Sequence, residues 1–151
     1  MASNAIAAYG TLLKRGAASS GSNTFSNYAT IGEVKSIKGP STEVSTIDVT
    51  THSSAASGNY REFVPSLIDP GTIDIELSWV PSDSTHALLW TDLTSRTKRD
   101  FWLQTTANAS GASANMQFSA YVTNFAKEFP TDDVQSGTVT LKITGAITLN
   151  T

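Results

Sequence analysis

A regular alternation of apolar and polar side chains constrains the fold of this chain more than any other feature. Within residues 72–79 the apolar members of the alternation are Ile73, Ile75, Leu77 and Trp79. Because successive side chains of a β-strand point to opposite faces, this segment is predicted to be a strand buried on one side. The same pattern recurs in residues 116–122 and 138–144, so the core is predicted to lie on a β-sheet.

Four further segments are predicted as strands with a less regular alternation: residues 31–38, 44–50, 60–68 and 99–105. Pro65 lacks a backbone N–H, which indicates an edge strand or a bulge. Glycine and proline at 39–40 and 69–71 predict tight turns. Small polar residues at 52–59 and 107–115 separate strands that can pair, so each predicts a hairpin loop, the first of them long and projecting.

One helix is predicted after Pro81, where Asp83 offers an N-cap. His86, Leu89, Trp90 and Leu93 then share one face at helical spacing. The expected fold class is mainly β: an antiparallel β-sandwich or barrel with one packed α-helix. The three tryptophans are expected in core-like positions.

The first 27 residues are predicted to be a flexible N-terminal arm, followed by a single β-domain at 28–151. Residues 15–27 are rich in Gly, Ser and Ala and have little apolar periodicity, a composition typical of flexible segments. The arm nevertheless carries an apolar cluster that is expected to dock on a neighbouring chain: Ile6, Tyr9, Leu12 and Leu13.

Composition excludes several classes of protein. The chain has no cysteine, so a disulfide scaffold and a thiolate zinc site are both excluded. Its formal net charge of −3 argues against a duplex-gripping domain, which usually carries a basic surplus. Only 15% of residues are charged, a low value that suits a surface covered by copies of the same chain. Neither a signal peptide nor a membrane span is predicted.

No pattern typical of catalysis or cofactor binding is present, so no catalytic, cofactor-binding or metal residue is predicted. His52 and His86 lie in different elements and lack the spacing of metal ligands. Asp83, Ser84 and His86 resemble a triad only by composition, and helix capping explains them better. Asp74 and Glu76 alternate on one strand face, where a solvated face is more ordinary than a paired-carboxylate site.

Three stretches of the chain resemble the tail tube proteins of siphophages, the phages with long non-contractile tails, and in particular the lambda-like family. They are MASNAIAAYGTLLKRG, then TIDVTTHSSAASGNYREFVPSLIDPGTIDIEL, and VPSDSTHALLWTDL followed by KRDFWL. The middle stretch is the most specific, because family members pair a Thr-Ile-Asp-Val-Thr strand with a Tyr-Arg-Glu-Phe strand across a variable loop. Here those strands are residues 46–50 and 60–63.

The resemblance implies a non-enzymatic subunit of hexameric rings that stack into a tube for viral DNA in the virion tail, assembled in the host cytoplasm. It implies as partners further copies of the chain, a tape measure protein, tail terminator and distal tail or baseplate proteins, and double-stranded DNA as transient cargo. The expected ring-to-ring loop residues are His52, Ser53, Ser54, Ser57, Gly58 and Asn59. The candidate lumen-facing residues are Asp48, Asp74 and Glu76, acids on strands with buried opposite faces.

Two alternatives stay open from the sequence. One is the inner tube of a contractile tail, a phage-derived particle or a type VI secretion-like system, which neighbouring sheath genes would indicate. The other is a carbohydrate-binding β-sandwich module, which would need an exposed aromatic platform.

Overall fold

The structure, a computed structural model, describes residues 5–16, 28–53, 58–107, 111 and 113–150. It contains nine strands and one helix within those ranges: β1 Leu12–Gly16, β2 Tyr28–Thr30, β3 Val34–Lys38, β4 Glu43–Asp48, β5 Phe63–Asp69, β6 Thr72–Ser78, α1 Ser84–Ser95, β7 Arg99–Gln104, β8 Asn115–Glu128 and β9 Ser136–Asn150. The prediction of a mainly β fold with one helix is confirmed.

Seven of the strands form one antiparallel sheet in the order β2-β1-β7-β8-β9-β6-β3, and β4 and β5 form a separate two-stranded hairpin. A cleft is lined by Leu12 of β1 and Leu103 of β7 together with Val34 and Ile37 of β3. Since β1 and β3 lie near opposite ends of the strand order, the sheet must curl toward closure, as in a partly open barrel.

The predicted strand at 31–38 is divided in two. Ile31 donates its N–H to Leu13 in β1 at 2.9 Å, whereas two residues later the carbonyl of Glu33 accepts from Ser78 in β6 at 2.9 Å. Glu33 has a positive φ of 55°, which produces the bend. This corner lets one segment pair with both sides of the curled sheet.

The alternating residues of the longest strands line a single core on the helix side of the sheet. Ile73, Ile75 and Leu77 of β6 are fully buried against Val139 and Leu141 of β9. Burying a side chain of this size contributes about 1.5–3 kcal/mol. The sheet therefore holds together mainly through one apolar face, as the alternation predicts.

Helix α1 begins where the sequence predicts. The Asp83 carboxylate accepts from the Thr85 N–H at 2.8 Å and from its hydroxyl at 2.6 Å. These hydrogen bonds, those from the Thr85 side chain foremost, hold the pKa of Asp83 below its usual value. The helix ends at Arg96, which adopts the left-handed conformation typical of such ends.

His86 has a structural environment rather than a catalytic one. Its ring is completely buried, its Nδ1 accepts from the Val80 N–H at 3.2 Å, and its Nε2 lies 2.9 Å from the Gly32 carbonyl. Since an N–H only donates and a carbonyl only accepts, these partners select the neutral Nε2–H tautomer. His86 thus ties the start of the helix to the corner between β2 and β3.

The N-terminal boundary predicted from composition is wrong. Residues 12–16 form β1, which pairs with both β2 and β7 inside the main sheet. Leu13 is 1% exposed in the core, and Arg15 is buried beside α1. Five residues are too few to show periodicity, and the charged Lys14 and Arg15 hide the strand. The rest of the predicted flexible segment, 17–27, lies outside the described residues.

Arg15 is placed inside the fold by an ionic cluster. It meets Asp92 of α1 through two hydrogen bonds of 2.5 and 2.8 Å, and Arg99 of β7 reaches the same carboxylate at 3.0 Å. Both Arg15 and Asp92 are almost completely buried, so each charge needs the other. The cluster joins β1, the helix and β7.

The β4–β5 hairpin, residues 43–69, connects to the main sheet at its base. Lys142 of β9 pairs with Asp69 at 2.8 Å, and Ile143 donates to the Gly71 carbonyl at 3.1 Å. Gly71 has a φ of 81°, and a side chain there would collide with the backbone of Ser41. The base of the hairpin is therefore closely fixed.

Candidate assembly surfaces

The β4–β5 hairpin is exposed along both of its strands, although it is rich in large apolar residues. Every residue of both strands is solvent-exposed. Its exposed large apolar side chains, with those at its tip, are Val44, Ile47, Val49, Tyr60, Phe63, Val64, Leu67 and Ile68. An isolated two-stranded hairpin is marginally stable in water. An exposed apolar surface of this extent is typical of a site that contacts another protein.

Apolar residues occupy both faces of the hairpin. The cross-strand pairs Val44 with Ile68 and Ile47 with Val64 lie on opposite faces, because Val44 and Ile47 are three residues apart on β4 and the extra residue at the register shift belongs to β5. Leu67, adjacent to Ile68 on the strand, points to the other face and is 82% exposed. Covering both faces takes protein on two sides, which a hairpin lying between neighbouring chains would have.

The strand pairing within this hairpin agrees with the sequence. Thr46 pairs with Pro65 and Asp48 with Phe63, and the register shifts between Val44 and Thr46. The prediction of a bulge or edge at Pro65 is confirmed, because β5 pairs with β4 alone and the register shift lies next to this residue. The predicted hairpin between β7 and β8 is also present.

The predicted ring-to-ring loop lies at the tip of the hairpin. His52, Ser53, Gly58 and Asn59 are exposed there, and Ser54 and Ser57 lie outside the described residues. The Asn59 backbone has a φ of 67° and so turns the chain back toward β5. Exposure makes these residues available for contact, and their role in a ring interface stays a prediction.

The structure separates the four apolar residues predicted as an N-terminal interface. Ile6, Tyr9 and Leu12 are exposed and can meet another chain. Leu13 is in the core, so its inclusion in a docking surface is wrong. Leu12 and Leu13 are consecutive residues of one strand, and therefore they point to opposite faces of the sheet.

The predicted lumen acids do not share one surface. Asp74 and Glu76 lie on the free face of the seven-stranded sheet, which is the face opposite the core, whereas Asp48 lies on the hairpin. Asp74 accepts from the Thr140 hydroxyl at 2.8 Å, and Glu76 is 3.8 Å from the Lys38 ammonium. Asp48 instead accepts from Thr50, whose hydrogen bonds lower its pKa.

The tryptophans divide between two regions. Trp102 is buried beneath Tyr28 and Lys14, and burial raises the pKa of Tyr28, with the nearby Asp100 charge adding to the effect. Trp79 stacks on His86 near the helix. Trp90 is 44% exposed, so its predicted core-like position is wrong: the helical face that it shares with Leu89 extends past the edge of the core.

One cluster beside Trp90 was not predicted from the sequence. The ammonium of Lys127 lies 4.1 Å from the ring centre of Trp79, 4.7 Å from that of Trp90 and 5.4 Å from that of Phe125. These four residues, the lysine cage, come from the segment between β6 and α1, from α1 and from β8, which contributes both Phe125 and Lys127. The three rings are distant in sequence, so no local pattern could reveal the cage.

The described residues contain no group of three or more His, Asp or Glu side chains placed to hold a metal ion. Within the same ranges, no helix has both the length and the hydropathy for crossing a bilayer.

Comparison with solved structures shows the same fold in several tube-forming assemblies. A chain from the virion of a native gene transfer agent aligns with a TM-score of 0.69 at 14% identity, covering 93% of this chain and 95% of that chain. The SPP1 tail tube aligns with a TM-score of 0.70 at 9% identity, covering 97% and 79%.

An extracellular contractile injection system, in its PVC sheath/tube terminator structure, aligns with a TM-score of 0.73 at 15% identity over 100% of both chains. Among curated protein sequences, none matches this chain significantly. The family model of the lambda phage tail tube protein matches residues 14–150. This match covers most of the chain, and the chain therefore belongs to the lambda phage tail tube protein family, as a structural subunit of a virion tail tube.

Proposed function

We propose that this chain forms hexameric rings that stack into the tail tube of a siphophage, and that double-stranded DNA passes through their shared lumen into the host. The exposed, apolar β4–β5 hairpin carries the proposal, because only neighbouring chains offer enough apolar surface to cover both of its faces. A head-to-tail contact that closes by rotation makes a ring, and a second contact stacks the rings. The chain acts without catalysis.

The free face of the seven-stranded sheet is suited to line the lumen. It carries Thr138 and Thr140 next to Asp74 and Glu76. Lys38, which reaches the same face, lies beside Glu76, so its charge is offset by a carboxylate. A hydroxyl-rich wall in which this lysine is paired with a carboxylate holds the phosphate backbone weakly, and this lets DNA move through.

The proposed partners follow from tube building. A tape measure protein fills the lumen before DNA enters, a tail terminator caps one end, and distal tail or baseplate proteins start the other. Assembly takes place in the cytoplasm of the bacterial host. The exposed loop residues at 52–59 and the N-terminal residues Ile6, Tyr9 and Leu12 are proposed to join one ring to the next.

The second candidate function is the inner tube of a contractile particle. The alignment to the contractile injection system over the full length of both chains favours it as a specific alternative. The two functions differ in what surrounds the tube, so a sheath gene beside this one, or sheath rings copurifying with the tube, would select the contractile function.

Negative-stain microscopy of the concentrated chain tests the proposed function. We expect rings or tubes with a central channel and six-fold averages. Val44→Asp and Leu67→Asp, which place a charge on opposite faces of the hairpin, should each abolish assembly while leaving the monomer folded. Thr138→Asp, an equal change on the proposed lumen face, should still assemble. A wild-type chain that stays monomeric at all concentrations, even with tail tip complexes added, would falsify the proposal.

A further inference from the structure

We propose that the lysine cage, formed by Trp79, Trp90, Phe125 and Lys127, is the receptor on one chain for the acidic β4–β5 hairpin of a second copy. The inference rests on the proposed function, because it names the surface that the hairpin meets during assembly. It assigns a binding role to four residues that lie outside the hairpin, the loop and the sheet face described above.

The cage presents a cation that is only partly satisfied. Three aromatic rings surround the Lys127 ammonium, the nearest at 4.1 Å. Among the described residues no carboxylate lies within 4.0 Å of it, the distance that defines an ion pair. Rings hold an ammonium by its charge but accept no strong hydrogen bond from it, so its three N–H groups remain available to a carboxylate.

The surface around the cage is apolar and accessible. Trp90 is 44% exposed on the outer side of α1. Phe129 follows two residues after Lys127, in the turn between β8 and β9, and is 63% exposed; Val134 in the same turn is also exposed. A tryptophan beside a positively charged side chain, bordered by apolar residues, is the composition typical of the strongest points of protein interfaces.

The hairpin complements this surface in charge as well as in hydropathy. Residues 43–69 carry four carboxylates and one arginine, a net charge of −3 that equals the formal charge of the whole chain. The remainder of the chain is therefore neutral in sum, and the hairpin is the part of this protein most attracted to a free ammonium. Its exposed valine, leucine and isoleucine side chains match the apolar surface around the cage.

The cage cannot instead be a receptor for an incoming cation, since its own lysine fills the position that such a ligand would take. The carboxylates of Asp48 and Glu62, near the tip of the hairpin, are the groups that we assign to Lys127 in the neighbouring chain. Their position favours them, because the tip is the part of the hairpin that extends farthest from the main sheet of its own chain.

A charge-reversal cycle tests the proposal on the full-length chain. Lys127→Met, which keeps the chain length and removes the charge, should raise the critical concentration for assembly by about tenfold or more, and Lys127→Glu by more still. Adding the reversed hairpin, Asp48→Lys with Glu62→Lys, to Lys127→Glu should restore assembly by about tenfold. A purely structural lysine gives no such rescue.

Lys14→Met is the matched control, because Lys14 lies 4.7 Å from the Trp102 ring and makes the same kind of contact on another surface. Both methionine variants should lower the thermal stability of the monomer by similar small amounts, whereas only Lys127→Met should impair assembly. Equal assembly by Lys127→Met and wild type, or equal impairment of assembly in both methionine variants, overturns the cage as receptor while leaving the tube function intact. Failure of the wild-type chain to assemble overturns both.

Discussion

Leu67→Ala separates the stability of the tube from the stability of its subunit. In the free chain Leu67 is 82% exposed on the outer face of the hairpin. Truncation to alanine there removes few contacts, so the free energy of unfolding should change by less than about 0.5 kcal/mol. If neighbouring chains cover the hairpin, the same truncation removes buried apolar surface at every subunit of the tube.

The size of the effect follows from the exposed fraction. Leucine loses three carbon atoms on truncation to alanine, worth about 0.8 kcal/mol each when buried. Scaled by the part of the side chain that is exposed in the free chain, the cost is about 2 kcal/mol per subunit. Since 1.4 kcal/mol corresponds to tenfold, the critical concentration for assembly should rise about 25-fold.

Leu89→Ala provides the opposite case, because Leu89 is completely buried beneath α1. The same chemical change there should lower the stability of the monomer by about 2–5 kcal/mol. Thermal melts measure the subunit, and sedimentation of assembled protein across a concentration series measures the tube. If Leu67→Ala assembles at the wild-type concentration, or destabilises the monomer as much as Leu89→Ala does, the hairpin is not a buried element of the tube.

Three further predictions concern electrostatics. Changing Asp74 or Glu76 singly to Lys should give at least one variant with normal tails by microscopy and a salt-sensitive defect in DNA ejection; normal ejection by both at low salt would contradict their role in the lumen, whereas Asp48→Lys, at the proposed contact with Lys127, should impair assembly instead. Asp83→Ala should cost about 1 kcal/mol in thermal melts at pH 7. Because the folded pKa of Asp83 is lowered, this difference from wild type should be full above about pH 4 and shrink as the pH falls through the folded pKa, whereas a pH-independent difference would contradict capping by the carboxylate. Asp92→Asn leaves a buried guanidinium without its counter-charge, so chemical denaturation should show a loss of about 3–5 kcal/mol, and an unchanged midpoint would contradict the ionic cluster.

Most of the main sheet could be predicted because its strands are long and buried on one face. β6, β8 and β9 show the alternation that such strands require. The cap at Asp83 and the turn before Gly71 could likewise be predicted from the sequence, since each depends on one residue type in a local conformation. These features arise within a few residues of the chain.

The features that could not be predicted from the sequence depend on contacts between residues that are distant in the chain. From the sequence alone Arg15 cannot be distinguished from a surface charge, because its partner Asp92 lies 77 positions away in the chain. The cage around Lys127 likewise requires the helix to pack over β8. The hairpin strands were predicted, but their complete exposure was not, because alternation predicts burial and takes no account of whether the covering surface belongs to another chain.

The closely fixed base of the hairpin determines where a tube of such subunits can bend. Asp69 is held by Lys142, Gly71 leaves no room for a side chain against Ser41, and Ile143 binds the Gly71 carbonyl. A hairpin fixed in this way at its base would transmit an angular displacement of its own ring to the surface that its far end contacts. If that far end contacts the adjacent ring, as proposed, curvature of the filament would be concentrated at this contact and not at the base of the hairpin.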